Sequence, residues 1–510
     1  MDMNKFRLRP FVERLIELGE VEIHEESVPL SDLSHIIEAS PKATLFRRAG
    51  PEEAEVVAAV CGSRRRLAAA FGLDYRDVPH EYMRRMASPQ PSLEVSSSVA
   101  PVHEILLTGG DVDLTQLPFH VQHEFDGGTY ISSAIDYTVD PETGRTNVGC
   151  RRLMLRGRRE MRANLTNNSD LKKIYLKCLE RGERLNVSFV IGSHPVDYLA
   201  ATLRLPADEI GLVATLRGEP LAVVREITNN IPVPADTEMV IEGYFDELGY
   251  REMEGPYGEG YGYYGPMHID PVFHVTAITK RKDALFQSLL HSGRRLSRAD
   301  SPNTGALNAE VAAWNALRAE GIEPVAVCVP TSTGRQQHVR VAITQQAPGQ
   351  ARQVISALLA VSRFKHIFVV DDDVDIFCDE QIEWAMATRF RPERDIVTKG
   401  GFPPHYMDPT MAKGDTMTKA GFDLTAPFAG QKSIDYWVAE APRFDKPPRY
   451  GTVREALESG PMHFVHLMEA VGSRDGREIA LELDRLREAG LLTRLANGEW
   501  ALTSQAEKNR

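Results

Sequence analysis

Apolar and polar positions follow different rhythms along the chain, and the first rhythm is helical. Phe11, Leu15 and Leu18 lie at helical spacing, and Gly19 follows as the predicted end of that helix. From Val21 onward, apolar residues alternate with acidic ones, which predicts a strand. Short apolar segments of both kinds continue, so residues 1–108 are predicted to form a small N-terminal α/β domain.

The middle of the chain is rich in β-type runs that are separated by clusters of Gly, Pro, Asn and Asp. Four such runs are 131–139, 221–227, 239–245 and 272–278. Short strands with turn signals between them are typical of a barrel or a sandwich. One of these two architectures is therefore predicted for a central domain, residues 109–305.

The last two regions have mixed patterns. In residues 306–450, strand-like and helix-like runs alternate, which favours an α/β domain. In residues 451–510, an amphipathic helix precedes Asn497-Gly498, a dipeptide typical of a two-residue hairpin turn. Helix plus hairpin resembles part of a winged helix, but the acidic surroundings favour a structural or subunit-contact role over DNA binding. The predicted fold class is a multidomain α/β (α+β) protein with a helix-hairpin tail.

Composition excludes several classes of protein. Of the 510 residues, 42% are apolar and 26% are charged, as in an ordinary globular protein. Asp and Glu number 72 against 59 Lys and Arg, a net charge of −13, whereas a duplex-binding protein carries a basic excess. No run of about 18 uncharged apolar residues occurs, and the five cysteines form no CxxC pair. We expect a cytoplasmic protein with reduced thiols that binds neither nucleic acid nor a membrane.

Two apparent motifs fail on their context. Residues 260–265 satisfy the GxGxxG pattern of dinucleotide-binding folds, but Pro266 follows directly and prevents the helix that this pattern requires. The aspartates of 371–375 imitate a calcium loop, yet Ile376 stands where Gly is needed and Ile382 where Glu is needed. We interpret these aspartates as turn caps or as residues at the mouth of a sheet.

The segment 254–259, Glu-Gly-Pro-Tyr-Gly-Glu, places two carboxylates around a Gly-Pro turn. No regular helix or strand could hold this turn, so its backbone is a specific loop, and loops often carry function. Two acids at close range cannot both ionise cheaply unless a cation compensates them, so one acid and one base could arise from this turn. The alternative is an ordinary solvated acidic turn.

A second cluster is Asn147 to Arg152, which follows a predicted hairpin turn at 140–144. Adjacent residues of a strand point to opposite faces, so one of Arg151 and Arg152 is expected to face inward. A buried arginine needs an anion. A carboxylate of the protein, a substrate carboxylate and a phosphate all suit its forked donors, and the residues leave these three open.

Together these segments resemble the UbiD-like family of prenylated-flavin-dependent decarboxylases. The resemblance covers about residues 5–450 and depends on four motifs in matching order and spacing. They are Asn-Val-Gly-Cys-Arg-Arg at 147–152, Glu-Gly-Pro-Tyr-Gly-Glu at 254–259, Asp-Asp-Asp-Val-Asp-Ile-Phe at 371–377 and Thr-Lys-Ala-Gly-Phe-Asp-Leu-Thr at 418–425. By this resemblance the central domain is a split β-barrel that binds flavin, and the protein is a carboxy-lyase.

The resemblance implies catalytic roles for three residues. Arg152 binds the substrate carboxylate beside the flavin, Glu254 holds that arginine, and Glu259 donates a proton to the carbon that loses CO2. Prenylated FMN takes up the electrons that decarboxylation leaves behind, which no ordinary side chain can do. The implied reaction is a reversible non-oxidative decarboxylation, and Glu259→Gln is predicted to keep the cofactor and lose turnover.

The resemblance also implies a cofactor site with a metal ion. Manganese links the flavin phosphate to the protein, Asn147 and Glu209 match two of its ligands, and potassium is allowed beside it. Lys419 matches a lysine that contacts the phosphate. The residues expected along the cofactor are Asn147, Gly149, Cys150, Arg151, Arg152, Ser169, Asp170, Glu209 and Lys419.

One departure from the family concerns the third metal ligand. Many members have a histidine in the segment after the arginine strand, where this chain has Ser169-Asp170. Asp170 can ligate a hard cation and would add one negative charge to the site. Alternatively, Asp170 N-caps the helix predicted from Leu171, and the two roles are compatible.

The expected substrate is an aromatic or heteroaromatic acid, in preference to a cinnamate-like acrylic acid. His291 and Asn303 lie where family members vary around the substrate ring, and either could hydrogen-bond a heteroatom. A flavin prenyltransferase is expected to supply the cofactor. A homodimer or larger homo-oligomer is expected, with helices of residues 306–450 at the contact. Carboxylation in the reverse direction and flavin binding without catalysis stay open as alternatives.

Overall fold

The structure is a computed structural model that describes residues 2–166, 168–205, 207–334, 336–405, 407–412, 414–428 and 434–503. Its N-terminal part packs helices on a small sheet, as the sequence predicts. The elements are α1 (Leu8–Glu17), β1 (Val21–Val28), α2 (Leu33–Ala39), β2 (Ala43–Ala49), β3 (Ala54–Ala58), α3 (Arg64–Phe71) and α4 (Val78–Met86). Phe11 and Leu15 are buried because they share one face of α1, whereas Leu18, predicted to lie on that face, caps the end of the helix and is exposed.

The central part contains most of the strands. They are β4 (Ser92–Glu94), β5 (Ile105–Thr108), β6 (Tyr130–Val139), β7 (Thr146–Gly157), β8 (Glu160–Ala163), β9 (Leu185–Ile191), β10 (Leu221–Arg225), β11 (Pro232–Pro234), β12 (Met239–Phe245), β13 (Glu252–Glu254), β14 (Tyr257–Gly258), β15 (Tyr264–Gly265), β16 (His268–Asp270), β17 (Val272–Lys280) and β18 (Phe286–Ser288). Three helices interrupt them: α5 (Asp170–Glu180), α6 (Pro195–Ala201) and α7 (Glu209–Arg217).

Six of these strands close into a barrel, which decides between the two predicted architectures. The order is β12, β9, β6, β7, β8 and β17, and β12 pairs antiparallel with β17 to complete the ring. Phe189, Phe245 and Phe273, from three of the strands, pack ring against ring in one core. Closure leaves these six strands without a free edge, so they form a rigid frame for the loops between them.

The sheets cross the domain boundaries that the sequence predicts. Strand β18 pairs with β3 and so completes the N-terminal sheet, β1-β2-β3-β18, from within the central segment. Strands β4 and β5, which precede residue 109, pair instead with β10 and β17. The predicted boundaries therefore stay a prediction, but neighbouring regions are joined by shared sheets.

The third part is an α/β layer, as predicted. Its elements are α8 (Asp300–Ala319), β19 (Ala326–Cys328), β20 (His338–Ile343), α9 (Gln350–Leu359), β21 (His366–Asp371), α10 (Asp379–Arg389), α11 (Pro392–Asp395), β22 (Ile396–Phe402) and β23 (Met417–Asp423). The sheet order is β19-β20-β21-β23-β22. Apolar residues of α8 and α9 cover one face, and those of α10 contact the other. Asp371 ends β21 and accepts the Ala426 N–H at 2.7 Å, which agrees with its interpretation as a residue at the sheet mouth.

The C-terminal extension has a core of its own. It contains α12 (Val453–Ser459), α13 (Phe464–Val471), α14 (Arg477–Glu488), β24 (Leu492–Arg494) and β25 (Trp500–Leu502). The hairpin forms where Asn497-Gly498 predicts it, but three residues lie between the paired Leu495 and Glu499 rather than two. Gly498, at φ 85°, takes the left-handed position of that loop. Among the described residues, no helix has the length and apolarity needed to cross a bilayer.

Candidate active site

Strand β7 separates its two adjacent arginines, as the alternation of a strand requires. Arg151 points to one face, where its Nη2 donates to Ser169 Oγ at 3.0 Å and its Nε lies 3.2 Å from Asp136 Oδ1. Arg152 points to the other face, toward Glu254 and Glu259. The sequence leaves open which anion a buried arginine meets here. In the structure, each of the two arginines faces at least one carboxylate of the protein itself.

Arg152 forms the centre of a buried charge cluster. Its Nε and Nη2 donate to Glu254 Oε1 and Oε2 at 2.8 and 2.9 Å, a bidentate pair. Its Nη1 donates to Glu259 Oε1. Burial by itself would lower the pKa of Arg152, but the hydrogen bonds and charge of Glu254, followed by the charge of Glu259, raise it above its usual value. The guanidinium is therefore a permanent cation between two acids.

The loop that carries both glutamates is fixed by a second loop, residues 122–128. Gly127 N–H donates to Pro256 O at 2.8 Å, so the two backbones are directly joined. Asp126 Oδ1 accepts the Gly258 N–H at 3.1 Å, and its Oδ2 accepts the His123 N–H at 2.9 Å. His123 Nδ1 lies 3.2 Å from both oxygens of Asp126. An aspartate with several backbone donors is a firm anchor, so this dyad holds the loop in place.

Tyr257 lies beneath the charge cluster. The Arg152 Cζ lies 4.6 Å from the centroid of the Tyr257 ring, a cation–π arrangement. The Tyr257 hydroxyl donates to Gln122 Oε1. Burial raises the pKa of Tyr257 well above its usual value, so this hydroxyl keeps its proton. The aromatic ring and the bidentate carboxylate together fix the plane of the guanidinium.

Two histidines lie at the edge of the cluster. His291 Nε2 is 3.3 Å from Glu259 Oε2. His268 is the register partner of Glu254 across the β13–β16 pair, so the two side chains share a face. Burial, followed by the charge of Arg152, lowers the pKa of His268. His291 is thus in direct contact with the predicted proton donor.

Asn303 makes its hydrogen bonds within its own segment of the chain. It lies in the first turns of α8 and donates its Nδ2 to Ser297 O at 3.0 Å and to Ala299 O at 2.8 Å. These bonds join the start of α8 to the residues that directly precede the helix. The hydrogen bond from Asn303 to a substrate heteroatom therefore stays a prediction without support from these contacts.

The predicted metal ligands lie near the start of β7 and of α7. Glu209 Oε2 accepts the Val148 N–H at 2.6 Å, and Asn147 Nδ2 donates to Asp136 Oδ2 at 3.2 Å. Burial, together with the charges of Asp136 and Asp170, raises the pKa of Glu209 to about 7. Several hard oxygen donors with a surplus of negative charge suit a divalent cation. Among the described residues, however, no three His, Cys, Asp or Glu side chains form a metal-binding group by themselves.

Asp170 is less tightly placed than the other two. Its carboxylate is half-exposed and lies 2.7 Å from Lys173 Nζ. The alternative role predicted for it is wrong, because Ser169 is the N-cap: its Oγ accepts the Lys172 N–H at 3.3 Å, and Asp170 is the first residue of α5. Ser169 thus caps the helix and also accepts from Arg151. Metal ligation by Asp170 stays a prediction.

Of the other predicted cofactor residues, Gly149 and Cys150 lie in β7, whereas Lys419 lies in β23. Gly149 faces Asp136 so closely that a Cβ atom would lie 3.0 Å from Oδ1. Burial raises the pKa of the neighbouring Cys150 thiol to about 12, so this thiol stays protonated. Lys419 lies in β23, where its Nζ donates to the carbonyl of Leu359, the last residue of α9, at 3.0 Å. Its predicted contact with a flavin phosphate therefore stays a prediction.

Three family models match successive parts of the chain. The N-terminal, Rift-related and C-terminal domains of 3-octaprenyl-4-hydroxybenzoate carboxy-lyase match residues 14–86, 93–294 and 303–424. The chain belongs to the UbiD family. The predicted family, the predicted fold class and the prediction of a carboxy-lyase are thereby confirmed. The C-terminal extension, from residue 451 onward, lies outside all three matches.

Individual relatives and solved structures are similar to this chain over most of their length. Anhydromevalonate phosphate decarboxylase of Methanosarcina mazei is 31% identical over 422 residues, which are 82% of this chain and 95% of that protein. An evolved dimeric form of HmfF from Pelotomaculum thermopropionicum, in complex with prFMN, has a TM-score of 0.75 at 29% identity, covering 86% of this chain and 97% of its own. The open form of vanillic acid decarboxylase from Sedimentibacter hydroxybenzoicus has a TM-score of 0.76 at 26% identity, covering 89% and 98%.

Sequence reasoning missed the His123–Asp126 dyad and His268. The signal for the dyad is weak, since the segment 118–128 has no strand or helix period and its partners lie about 130 residues away. His268 could be found only from the pairing of β13 with β16, which places it opposite Glu254. Both omissions have the same cause. These residues meet their partners through tertiary contacts, which local sequence patterns do not reveal.

Proposed function

We propose that this UbiD-family carboxy-lyase uses prenylated FMN to decarboxylate an aromatic or heteroaromatic acid. The observation that carries this proposal is the placement of Arg152 between Glu254 and Glu259. One permanent cation between two carboxylates can orient a third carboxylate, that of the substrate, while one of the acids takes up a proton.

The protein's own residues carry out binding and proton delivery. Arg152 binds and orients the substrate carboxylate, and Glu254 keeps the guanidinium in its plane. Because a further negative charge enters the cluster, substrate binding favours the protonated form of Glu259. Glu259 then gives its proton to the carbon that has lost CO2, so carboxylate and proton become C–H and CO2. Prenylated FMN, when bound, supplies the electron sink for this step.

Asn147 and Glu209, with Asp170, would hold a manganese ion that joins the flavin phosphate to the barrel, and potassium is allowed beside it. Their oxygen donors suit such a hard cation. The backbone from Gly149 to Arg151 would line the cofactor. The HmfF form in complex with prFMN supports this assignment of the cofactor. A flavin prenyltransferase would supply the cofactor, and the dimeric state of that HmfF form supports a homo-oligomer.

A second candidate substrate is anhydromevalonate phosphate, or an acrylic-type acid like it. It is favoured by the 31% identity to a decarboxylase of that name over 82% of the chain. The vanillic acid decarboxylase supports the aromatic candidate, at 26% identity. The Arg152 cluster would bind the carboxylate of either acid. The two candidate substrates are therefore distinguished by testing each acid with the enzyme.

The experiment is to co-express the chain with a flavin prenyltransferase and to record the absorbance spectrum. The purified protein is then screened for CO2 release from aromatic, heteroaromatic and acrylic acids, and from anhydromevalonate phosphate. We expect modified flavin in the protein and release from one class, with Glu259→Gln retaining the flavin and losing turnover. Exchange of labelled bicarbonate into the acid would show that carboxylation is accessible. Bound modified flavin without release from any acid would favour flavin binding without catalysis.

A further inference from the structure

We propose that Asp136 is a positioning residue of the metal site that holds the cofactor. It orients the side-chain amide of Asn147 so that the amide oxygen of Asn147 is presented to the cation. The inference rests on the proposed function, which supplies the metal and the flavin phosphate, and it adds a residue to that site. Neither the four motifs nor the predicted cofactor residues include Asp136.

Asp136 lies opposite a position without a side chain. It is the register partner of Gly149 in the antiparallel pair of β6 and β7, so the two residues share a face of the barrel wall. A Cβ atom at Gly149 would lie 3.0 Å from Asp136 Oδ1. The carboxylate therefore occupies the space above Gly149 and reaches its two diagonal neighbours on β7, Asn147 and Arg151.

One oxygen of this carboxylate fixes the Asn147 amide. Asp136 Oδ2 lies 3.2 Å from Asn147 Nδ2. An ionised carboxylate only accepts hydrogen bonds, so the part of the amide that faces it is the NH2 group. The amide oxygen of Asn147 then points away from Asp136, and no described residue donates a hydrogen bond to it. This oxygen suits a hard cation.

The other oxygen of Asp136 is held by charge alone. Asp136 is fully buried, and its Oδ1 lies 3.2 Å from Arg151 Nε, yet neither of these two atoms has a hydrogen-bond partner among the described residues. Arg151 has other partners, since its Nη2 donates to Ser169 Oγ and its Nη1 to Cys150 O, both at 3.0 Å. A buried carboxylate with incomplete hydrogen bonding is costly, and a further cation nearby would stabilise it.

The buried negative charge around Asn147 comes from two residues. Glu209 Oε2 accepts the N–H of Val148, the neighbour of Asn147 in β7, at 2.6 Å. Asp136 supplies the second buried carboxylate, whereas the carboxylate of Asp170 is half-exposed. Two buried carboxylates repel a phosphate unless a cation lies between them and the phosphate. Asp136 is thus expected to make flavin binding depend on the metal.

The first test titrates Mn2+ into protein with excess FMN and follows free Mn2+ by its EPR signal, so it needs no turnover. We expect Asp136→Ala to weaken Mn2+ binding ~10- to 100-fold. In an Asn147→Ala background, the same change should weaken it by less than about twofold, because a residue that acts through Asn147 has no effect once that side chain is gone. Asp395→Ala is the matched control. Asp395 is a buried aspartate paired with Arg394 in α11, outside the barrel, and its loss should leave Mn2+ binding unchanged.

The second test measures FMN affinity by flavin fluorescence with Mn2+ and with EDTA. In the wild type, Mn2+ should tighten FMN binding, and Asp136→Ala should reduce this tightening about 10-fold or more. With EDTA, the variant should bind FMN no more weakly than the wild type, because a repelling charge has been removed. A merely structural role would instead weaken FMN binding equally under both conditions.

A further pair of variants separates Asp136 from its other neighbour. Removing Asp136 leaves the Arg151 guanidinium without its carboxylate, which can destabilise the fold. Arg151→Met is therefore compared with Arg151→Met/Asp136→Ala, in which no unpaired guanidinium is present. We expect the added change to weaken Mn2+ binding by about 10-fold or more. If it has no effect in this background, Asp136 acts through Arg151 and the inference is overturned.

The remaining outcomes distinguish this inference from the proposed function. Additive losses in Asp136→Ala and Asn147→Ala would show that Asp136 does not act through Asn147. Unimpaired Mn2+ binding in Asp136→Ala, with a wild type that binds both FMN and Mn2+, would overturn the inference alone. A wild type that binds neither would overturn the cofactor proposal and the inference together. A wild type that binds both and releases CO2 from no acid would overturn the proposed decarboxylation, whereas the role of Asp136 would stand.

Discussion

The ring of His123 and the backbone of Gly258 lie so close together that no methyl group fits between them. A Cβ atom at position 258 would lie 2.5 Å from His123 Nδ1. Asp126 fixes both partners, through the Gly258 N–H and the His123 ring. Position 258 lies one residue before Glu259, so the same contact fixes the position of the proposed proton donor.

Gly258→Ala is therefore expected to displace the loop. Overpacking of a fixed site typically costs ~1–3 kcal/mol, and the melting temperature should fall accordingly. A displacement of about 1 Å at Glu259 should lower kcat about 100-fold. Gly110→Ala is the control, because a Cβ atom there meets nothing within 4 Å. Equal activity of both variants would contradict the proposed rigidity of this loop.

Glu254→Gln is expected to remove the fixed orientation of Arg152. The amide cannot accept from both Nε and Nη2, so the guanidinium is free to turn toward Glu259. We expect kcat/KM to fall ~10²- to 10³-fold, measured as CO2 release, with the flavin still bound. The matched control is Glu252→Gln on the same strand, which removes a carboxylate from Arg156 and Arg162. A loss of similar size in the control would show that only the β13–β16 pair had been disturbed.

Glu226 and Glu242 form a buried carboxyl pair away from the Arg152 cluster. Burial, followed by the charge of Glu242, raises the pKa of Glu226 to about 10 from 4.5. His103 Nε2 lies 3.1 Å from Glu226 Oε1. The folded protein thus holds a proton that the unfolded chain releases above pH 4.5. The stability contributed by this proton is complete below that pH and is lost as pH rises toward 10.

Glu226→Gln should remove this loss, because an amide stays neutral. Between pH 6 and 9, the unfolding free energy of the wild type should fall relative to the variant by about 1.4 kcal/mol per pH unit at most. Denaturant titrations at several pH values measure the difference. Glu52→Gln, at an exposed position, is the control. If the unfolding free energies of wild type and Glu226→Gln changed in parallel with pH, the folded protein would not hold a proton on Glu226.

A chain that ends at Phe428 is expected to keep the flavin-dependent activity. The apolar core of the extension consists of its own residues, from Phe444 to Leu502. Ion pairs within the segment, Lys446 with Glu469 and Arg454 with Glu458, add to this core. We expect kcat within about twofold of the full chain and a single remaining unfolding transition. Loss of oligomeric state on truncation would assign the extension to subunit contact, as its acidic composition favours.

Local patterns predict the elements well and their assembly poorly. The helix that buries Phe11 is readable because burial of one face imposes a helical period on the sequence, whereas the strand at 130–139 is buried along most of its length and is readable as a short β-type run. Closure of the barrel depends on the pairing of β12 with β17, about 30 residues apart along the chain. The hydrophobic period of each strand does not reveal which strand it pairs with. The alternation of a strand predicts that Arg151 and Arg152 diverge, but not which acids each will meet.

The candidate site shows the same division. The four motifs locate Arg152, Glu254 and Glu259, and the structure places them in contact. The position of Lys419 beside Leu359 O depends on how β23 packs against α9, which the motif does not contain. Ser169 takes the capping role predicted for Asp170 because the helix begins at Asp170, one residue earlier than predicted, so Ser169 is the last extended residue before it and its Oγ accepts the Lys172 N–H.

The borrowed strand β18 has a consequence for how such enzymes can diversify. It completes the N-terminal sheet only three residues before His291, and Asp300 accepts the N–H groups of both Cys61 and Leu290. The segment that leads to His291 is therefore attached to the N-terminal sheet. Exchanging residues 1–108 between homologous proteins would replace the strand on which β18 rests, so a graft chosen for stability is expected also to shift His291 relative to Glu259.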